Sequence, residues 1–308
     1  MISRREVLRG GLLTCLGAPC VGLSQAGEYS APTAPITRTI PSSAERIPVI
    51  GLGTDSFRSS ESEAIRDEIK RMSDLGGSVI DTAAAYGDSE ALIGDALAAL
   101  GIRERMFVAT KLTAESFFGS GGGGEGSFHR SLERLKTQRI DLLQVHNLYG
   151  IDSLMPQLQQ WKKSGKIRYI GGTTSHVSQH GEIVEAMHKY PLDFIQVDYS
   201  IADRNAAATV FPIALERRVA VLVNLPFARA ALLGKAGERK LPDWAAEIDV
   251  SSWSQFFLKY VISHPAVTCV IPGSTKVAHL EDNQAAGRGR LPDAAMRSKM
   301  EQFWDTLA

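Results

Sequence analysis

The chain has 308 residues, of which 44% are hydrophobic and 22% are charged, and its 34 Lys and Arg residues balance its 34 Asp and Glu residues. This composition is typical of a globular protein of one large domain or two ordinary ones. A balanced charge provides no basic face, so we expect no nucleic-acid partner. The longest apolar stretch, near the start, is too short for a stable membrane span.

Residues 1–26 have the order of an export signal. Two arginines come first, an apolar run follows over residues 10–23, and small residues precede a cleavage site after Ala26. Residues 3–9 (SRREVLR) resemble the twin-arginine motif, which directs folded proteins to the export machinery. We therefore predict a twin-arginine signal peptide and a periplasmic or exported protein. The alternative is a disordered tail with a chance pair of arginines.

The cysteines agree with folding before export. Cys15 and Cys20 lie inside the predicted signal, so the mature chain keeps Cys269 alone and forms no internal disulfide. A protein that folds in a reducing cytoplasm needs none. Residues 27–35 (GEYSAPTAP) are small, polar and proline-rich, which predicts a linker before a domain of residues 36–308.

From Thr37 onward, short β-rich apolar runs alternate with longer segments of helical period. The runs predicted as strands are residues 47–53, 78–83, 106–112, 141–147, 169–174, 194–200, 220–226 and 268–274. Helices are predicted at residues 61–75, 89–100, 127–136, 153–163 and 251–263, with Ser89 placed to cap its helix. Eight strands that alternate with helices predict an α/β fold, a single-domain (β/α)8 TIM barrel.

A doubly wound sheet is the structural alternative. Gly51 and Gly53 begin a glycine-rich turn, but the third glycine of a dinucleotide turn is absent, so we do not favour it. Residues 37–49 predict a β-hairpin at the barrel floor, with its turn at residues 41–43. Residues 119–126 (GSGGGGEG) favour a flexible loop over a phosphate cradle, because the Gly-Lys-Ser/Thr ending of a P-loop is missing.

Four ionisable residues lie at the predicted carboxyl ends of neighbouring strands. Asp81 ends the second strand, Lys111 the third and His146 the fourth, and Tyr86 follows in the loop after Asp81. Barrel active sites are built at the C-terminal ends of the strands. We therefore expect these four side chains to meet at one mouth of the barrel.

The four side chains suit proton transfer to an oxygen atom. A phenol has a pKa of about 10, and we expect the ammonium of Lys111 to lower that of Tyr86. Asp81 would hold Lys111 in place, and His146 would hydrogen-bond a carbonyl oxygen or pass on a proton. The group contains no strong nucleophile and no metal cluster, so it favours hydride transfer over hydrolysis.

Each of these residues also has a structural interpretation when it is taken alone. An Asp at a strand end often caps a turn, a Lys there often reaches solvent, and a His in an apolar strand is often a core residue. Because functional groups gather at the C-terminal face of a barrel, the four together favour a catalytic site.

Residues 79–97 (VIDTAAAYGDSEALIGDAL) resemble the aldo-keto reductase signature around its catalytic Asp and Tyr. The segments FVATK and DLLQVH are similar to those that carry the family's Lys and His. Looser matches follow in the family's order: KIRYIGGTT, FIQVDYS, VLVNLPF and VIPGSTKVAHLEDN. The resemblance covers about residues 47–283 and implies a (β/α)8 barrel that binds NADPH without a Rossmann domain.

The resemblance also implies a role for each site residue. Tyr86 would be the general acid in the reduction of an aldehyde or ketone by NADPH, with Lys111 and Asp81 tuning it and His146 orienting the carbonyl. Lys276 would favour NADP over NAD, because a 2′-phosphate prefers a cation, although it could equally be an ordinary exposed lysine. The residues expected along the cofactor are Gly53, Thr54, Asp81, Thr174, Gln196, Asn224, Pro226, Ser274, Thr275, Lys276 and Asn283.

Three positions depart from the family pattern. Asn224 stands where many members have an aromatic residue, Thr173-Thr174 replaces the usual Ser-Asn pair, and His279 occupies a position that is often Arg. These departures affect cofactor binding and leave the four catalytic positions intact. Residues that would contact the substrate are Phe57, Asn147, Tyr149, Phe227 and Trp304.

The leading hypothesis is therefore an NADP(H)-dependent enzyme acting on a small carbonyl or alcohol substrate, in either direction. The alternatives are a nucleotide-binding redox sensor or regulatory subunit with the same barrel and little turnover, and a barrel with unrelated chemistry. We expect a monomer from the family precedent.

Overall fold

The computed structural model describes residues 34–112 and 124–307, and within them eight parallel strands form one sheet in chain order. An antiparallel hairpin, β1 (Thr37–Thr39) and β2 (Arg46–Pro48), precedes the sheet. The strands of the sheet are β3 (Leu52–Gly53), β4 (Val79–Asp81), β5 (Phe107–Leu112), β6 (Ile140–Val145), β7 (Ile167–Thr173), β8 (Phe194–Asp198), β9 (Ala220–Asn224) and β10 (Val267–Val270).

The first and last strands of the sheet meet. The backbone N–H of Gly51 donates to the carbonyl of Val270 at 2.8 Å, and that of Gly53 donates to the carbonyl of Pro272 at 3.0 Å. These bonds accompany parallel bridges from the β3 segment to the β10 segment. The predicted (β/α)8 barrel is therefore confirmed against the doubly wound alternative, whose sheet would stay open.

Helices surround the sheet. They are α1 (Ser62–Asp74), α2 (Ser89–Leu100), α3 (Glu125–Arg134), α4 (Ile151–Lys163), α5 (His180–Lys189), α6 (Asn205–Thr209), α7 (Phe211–Arg217), α8 (Ala231–Ala236), α9 (Trp253–Ile262), α10 (Val277–Ala286) and α11 (Ala294–Thr306). The five predicted helices are all present, with boundaries within two residues of the prediction. In the described ranges, none of the helices combines the length and apolar character needed to cross a membrane.

The predicted cap at Ser89 is wrong. Ser89 is the first helical residue of α2, and Asp88 occupies the capping position without a side-chain hydrogen bond. The Ser89 side chain is buried and turns inward, where its hydroxyl contacts the hydroxyl of Thr54 at 2.7 Å and donates to the carbonyl of Thr54 at 3.1 Å. Because the side chain faces the barrel, its oxygen is not available to the free backbone N–H groups of the helix.

Hydrophobic side chains form two clusters, one inside the barrel and one between the strands and the helices. The inner cluster includes Ile40 and Ile47 of the hairpin together with Phe107, Phe194 and other inward side chains of the strands. The hairpin therefore closes the barrel floor, as predicted, and leaves the carboxyl ends of the strands as the open mouth. Of the predicted glycine-rich loop, residues 119–123 lie outside the described residues.

A close contact between α2 and α3 allows a test of the packing of the helical layer. A Cβ atom on Gly94 of α2 would overlap the carbonyl oxygen of Arg134, whereas one on Gly181 of α5 would meet no heavy atom within 4 Å. We expect Gly94→Ala to lower the free energy of unfolding by about 1–3 kcal/mol. The matched Gly181→Ala should leave it unchanged or raise it by up to about 1 kcal/mol. Urea unfolding measures both, and equal effects would contradict this packing.

Candidate active site

The four predicted catalytic side chains lie at the mouth of the barrel. Asp81 is the last residue of β4, Lys111 lies one residue before the end of β5, and His146 follows β6 directly. Tyr86 lies in the loop between β4 and α2, where its backbone N–H donates to the carbonyl of Ala83 at 3.0 Å. Parallel strands in register bring these residues together although up to 65 positions separate them in the chain.

A buried ion pair lies at the centre of the group. The Nζ atom of Lys111 donates to Oδ2 of Asp81 at 2.6 Å and to the carbonyl oxygen of Thr82 at 2.8 Å, and both charged side chains are at least 97% buried. Removing either charge would leave the other without a partner in a dry interior, which costs about 3–5 kcal/mol. The pair therefore fixes the position of the ammonium at the site.

Gln144 joins the pair, although the sequence analysis did not select it. It lies opposite Lys111 in the β5–β6 register, and its Nε2 atom donates to Oδ1 of Asp81 at 3.4 Å and to Oε1 of Gln196 at 3.2 Å. The signal in the sequence was a lone amide in the apolar strand IDLLQV, one residue away from a strand end. Since a buried amide needs partners, such a residue indicates a polar interior.

Burial and charge act against each other in this group. Burial lowers the pKa of Lys111, but the charge of Asp81 and hydrogen bonds to Asp81 and Tyr86 raise it by more, so the net pKa is above the ordinary value and the ammonium persists. Burial raises the pKa of Asp81, and the ammonium of Lys111 opposes that rise. The two groups thus depend on each other for their ionised forms.

The expected lowering of the pKa of Tyr86 is wrong for this structure. The ammonium of Lys111, whose Nζ lies 4.9 Å from the centre of the Tyr86 ring, does lower the pKa. Burial and the negative charges of Asp81 and Asp55 raise it by more, so the pKa of Tyr86 is above its usual value. Because Asp81 offsets much of the Lys111 charge, the phenol keeps its proton at neutral pH.

His146 completes the pocket beside Tyr86. The two rings meet edge to face, with their centres 5.8 Å apart and an interplanar angle of 80°. Burial and the positive charge of Lys111 lower the pKa of His146 to about 4. The imidazole is therefore neutral at physiological pH and has one N–H donor and one acceptor.

The residues expected near the nicotinamide lie on neighbouring strands: Thr174 follows β7, Gln196 lies within β8, and Asn224 ends β9. Thr174 and Gln196 are buried, and the Nδ2 atom of Asn224 donates to the carbonyl of Thr174 at 2.9 Å. The Oδ1 atom of Asn224 is buried and has no hydrogen-bond partner among the described residues. Pro226, two residues further, is also buried. This unpaired carbonyl oxygen is a ready acceptor for a ligand N–H.

The residues expected near the 2′-phosphate form the turn between β10 and α10. The backbone N–H of Lys276 donates to the Ser274 hydroxyl at 3.3 Å, and that hydroxyl donates to the Lys276 carbonyl at 3.1 Å. Lys276 is the exposed residue that precedes α10, Thr275 is half-buried, and Asn283 is buried two turns into the helix. The turn thus presents an ammonium and a helix N-terminus on the same surface.

Gly53 and Thr54 have structural contacts of their own. A Cβ atom on Gly53 would lie 2.9 Å from the carbonyl oxygen of Ile271, so a glycine is needed where β3 meets β10. The hydroxyl of Thr54 donates to the carbonyl of Asp81 at 2.9 Å. It also lies 2.7 Å from the hydroxyl of Ser89. Thr54 therefore holds the end of β4, and with it Asp81, in position.

Two loops at the mouth have left-handed backbone at non-glycine residues. They contain Asn147 and Leu148 after β6, and Leu225, Ala228, Arg229 and Ala230 after β9. The backbone N–H of Asn147 donates to the hydroxyl of Thr173 at 2.9 Å, which ties the loop after His146 to β7. Such strain gathers at functional sites. The sequence does not indicate this strain, because these positions are not glycines.

Comparison with known proteins assigns the family. Residues 49–303 match the model of the aldo/keto reductase family. This chain belongs to the aldo/keto reductase family. It is 27% identical over 265 residues to methylglyoxal reductase YeaE of Escherichia coli, covering 81% of this chain and 89% of that protein. It is 26% identical over 304 residues to the aldo-keto reductase yakc [NADP(+)] of Schizosaccharomyces pombe, covering 83% and 88%.

Solved structures share the barrel. The holo form of aldo-keto reductase AKR11C1 from Bacillus halodurans superposes with a TM-score of 0.72 at 25% identity, covering 89% of this chain and 96% of that one. This aldo/keto reductase therefore has the oxidoreductase fold that the resemblance implied, with the predicted Asp, Tyr, Lys and His residues in one pocket.

The expected substrate contacts divide into two groups in this aldo/keto reductase. Phe57 and Trp304 are buried and pack in the main hydrophobic cluster, so packing accounts for them. Asn147, Tyr149 and Phe227 are partly exposed in loops at the carboxyl ends of β6 and β9, where a substrate would enter. These three are the better candidates for substrate contact.

The lowered pKa of His146 predicts a pH dependence of stability. In the unfolded chain, a histidine has a pKa of about 6.5. The unfolded state therefore binds the extra proton between about pH 6.5 and pH 4, and the folded state loses stability as the pH falls through that window. Across this pH window, we expect the free energy of unfolding of His146→Gln to fall by on the order of 3 kcal/mol less than that of the parent protein.

Urea unfolding at several pH values measures this difference. His129→Gln, which removes an exposed imidazole from α3, is the matched control and should follow the parent. If the parent and His146→Gln lose stability in parallel, His146 does not hold a neutral ring in this pocket.

Proposed function

We propose that this aldo/keto reductase is an NADP(H)-dependent enzyme that reduces an aldehyde or ketone, with Tyr86 as general acid and bound NADPH as the source of the hydride. The observation that carries the proposal is the pocket in which the buried Asp81–Lys111 pair lies beneath the Tyr86 ring, with His146 against its edge. The reverse reaction, oxidation of an alcohol, would use the same residues with Tyr86 as the base.

Tyr86 is suited to keep its proton in the free enzyme and to donate it during the reaction. Its raised pKa keeps the phenol protonated before a substrate binds. As negative charge develops on the substrate's carbonyl oxygen, the phenol O–H donates its proton to that oxygen. The neighbouring ammonium of Lys111 stabilises the phenolate that remains, and Asp81 keeps that ammonium in place.

His146 acts as a neutral hydrogen-bond donor. Its pKa of about 4 means that the ring carries no charge at neutral pH. The N–H of the ring can therefore orient a carbonyl oxygen without competing with Tyr86 as a proton source. A division of roles follows, in which Tyr86 transfers the proton and His146 positions the acceptor.

The pocket fits a nicotinamide nucleotide. The unpaired Oδ1 atom of Asn224 offers an acceptor for the carboxamide N–H of a nicotinamide, beside Thr174 and Gln196. Lys276 and Ser274 would bind the 2′-phosphate at the start of α10, and the family relative yakc carries NADP(+) in its name. Gly53, Thr275, Pro226 and Asn283 complete the expected contacts.

Replacing Tyr86 by Phe tests the proposed acid. The variant lacks the transferable proton, so kcat for the oxidation of NADPH by a panel of aldehydes and ketones should fall by about 100-fold or more. The Kd for NADPH should stay within about twofold, because binding does not use the phenol proton. Tyr190→Phe, which removes an exposed phenol hydroxyl bonded to Asp152 on the outer layer, is the matched control and should keep full activity.

Two results would contradict the proposal. Equal turnover in the parent and in Tyr86→Phe would remove Tyr86 from the chemistry. NADPH binding without multiple turnover for any carbonyl compound would favour a redox sensor or regulatory subunit over an enzyme.

We also propose that the twin-arginine machinery exports the folded protein to the periplasm and that the linker and barrel are the mature form. The support is the signal-like order of residues 1–26. The paired substitution of Arg4 and Arg5 by Lys should retain the full-length protein in the cytoplasm, whereas Arg9→Lys should not. Cell fractionation and N-terminal sequencing measure this, with Gly27 expected as the first mature residue. Parent protein found only in the cytoplasm would refute export.

A further inference from the structure

The inward-facing residues at the top of the barrel form one polar layer. Successive residues of a strand point to opposite faces, so the residue two positions after an inner apolar residue also points inward. From β4 to β9, these residues are Asp81, Lys111, Gln144, Gly171, Gln196 and Asn224. Gln144 is a member of this layer that the proposed chemistry does not use.

Gly171 allows two amides of this layer to meet across a strand. Gln144 lies on β6 and Gln196 on β8, and β7 between them contributes Gly171, which is opposite Gln144 in the register. A Cβ atom on Gly171 would lie 3.0 Å from Cγ of Gln144 and 3.0 Å from the carbonyl oxygen of Phe194. Because no side chain fills this place, Nε2 of Gln144 reaches Oε1 of Gln196 at 3.2 Å.

Asp81 fixes the direction of these hydrogen bonds. An ionised carboxylate accepts hydrogen bonds and cannot donate them, so Gln144 turns its amino group to Asp81, with Nε2 3.4 Å from Oδ1. The other hydrogen of that amino group goes to Oε1 of Gln196. The Oε1 atom of Gln144 itself is buried without a partner among the described residues, which is costly. The amide is therefore kept for what its amino group holds, including the carbonyl oxygen of Gln196.

The amino group of Gln196 is left for a ligand. Burial raises the pKa of Asp81, and the ammonium of Lys111 and the amides of Gln196 and Gln144 lower it, so at most one hydrogen of the Gln196 amino group is taken by the carboxylate. No other acceptor for this group lies among the described residues. At least one N–H of Gln196 is thus free at the base of the mouth.

Asn224 provides the complementary atom on the next strand. Its amino group donates to the carbonyl of Thr174, and its Oδ1 atom is left without a partner among the described residues. A donor on β8 and an acceptor on β9 therefore lie in the same layer of the barrel. A carboxamide, which has one carbonyl oxygen and one amino group, matches such a pair.

We propose that Gln144 is a positioning residue for the cofactor: by holding the carbonyl oxygen of Gln196 across the gap at Gly171, it makes the Gln196 amino group the donor to the carbonyl oxygen of a nicotinamide carboxamide. This inference rests on the proposed NADP(H) function and adds a residue to that site. Without Gln144, either end of the Gln196 amide is able to face the ligand, and the preorganised donor is lost.

Isothermal titration calorimetry with two ligands tests the role of Gln144. NADP+ has the nicotinamide, and adenosine 2′,5′-bisphosphate lacks it. Gln144→Met removes the amide and keeps the length of the side chain. We expect the Kd for NADP+ to rise by about three- to tenfold, the worth of one hydrogen bond, and the Kd for the bisphosphate to stay within about twofold. Gln196→Met should give the same rise, and the double variant should be no weaker than either single one, since both act on one contact.

The acetylpyridine analogue of NADP+ tests the direction of the hydrogen bond. It keeps the carbonyl oxygen of the carboxamide and has a methyl group in place of the amino group. Gln144→Met should therefore weaken NADP+ and the analogue by the same factor. Infrared difference spectra of NADP+ with an isotope-labelled carboxamide carbonyl provide a second measurement. The carbonyl stretch should lie at lower frequency in the parent than in Gln144→Met, because only the parent keeps the oriented donor.

Glycine variants separate the contact from general effects on folding. Gly171→Ala inserts a methyl group between the two amides and should reproduce the effect of Gln144→Met, even if that variant folds poorly. Gly172→Ala, on the same strand, places its Cβ 3.0 Å from Cδ2 of Leu148 on the outer face and should follow the parent. Gln160→Met, which removes an exposed amide from α4, is the matched control for the loss of a glutamine.

The outcomes are distinguishable. If the parent binds neither NADP+ nor the bisphosphate, the proposed function fails. If the parent binds both and Gln144→Met binds them equally well, the nucleotide site stands and the role of Gln144 is refuted. An equal loss for both ligands, or a further loss in the double variant, would refute it as a general structural effect. A loss for NADP+ without a loss for the analogue would show that Gln196 accepts from the carboxamide N–H, which overturns the assigned direction.

Discussion

The ion pair between Asp81 and Lys111 is the interaction on which the site depends. Both charges are buried beneath the mouth of the barrel, where neither could remain ionised alone. The pair exists because β4 and β5 run in parallel register. The carbonyl of Thr82 accepts a second hydrogen bond from Lys111, and the amide of Gln144 donates one to Asp81. The protonated phenol of Tyr86 and the neutral ring of His146 follow from burial together with the charges of this pair.

Neighbouring elements of the barrel hold the Asp81–Lys111 pair in place. Thr54 bonds to the backbone of Asp81 and to Ser89, so the first strand of the barrel and the start of α2 both fix the end of β4. On the opposite side of the mouth, strained loops and the unpaired oxygen of Asn224 are left for a ligand. Rigid support on one side and unsatisfied groups on the other are typical of a preorganised binding site.

The eight strands of the barrel, five of the helices and the four central residues could be predicted from the sequence, because apolar periodicity and polar strand ends are local patterns. The pKa of Tyr86 could not, since it is a balance between Lys111, burial, Asp81 and Asp55 that depends on distances across the barrel. Ser89 was misassigned for a similar reason, because a capping serine and a buried serine at a helix start have the same local sequence.

The sequence by itself determined the alternation of strands and helices, the family resemblance, and the identity of the Asp, Tyr, Lys and His residues. Only the tertiary structure decided that the barrel closes, that Gln144 joins the ion pair, and that Glu68 of α1 lies fully buried. The physical reason is that burial and charge compensation belong to pairs of distant residues. A carboxylate on an amphipathic helix has the same local pattern whether it faces water or the protein interior.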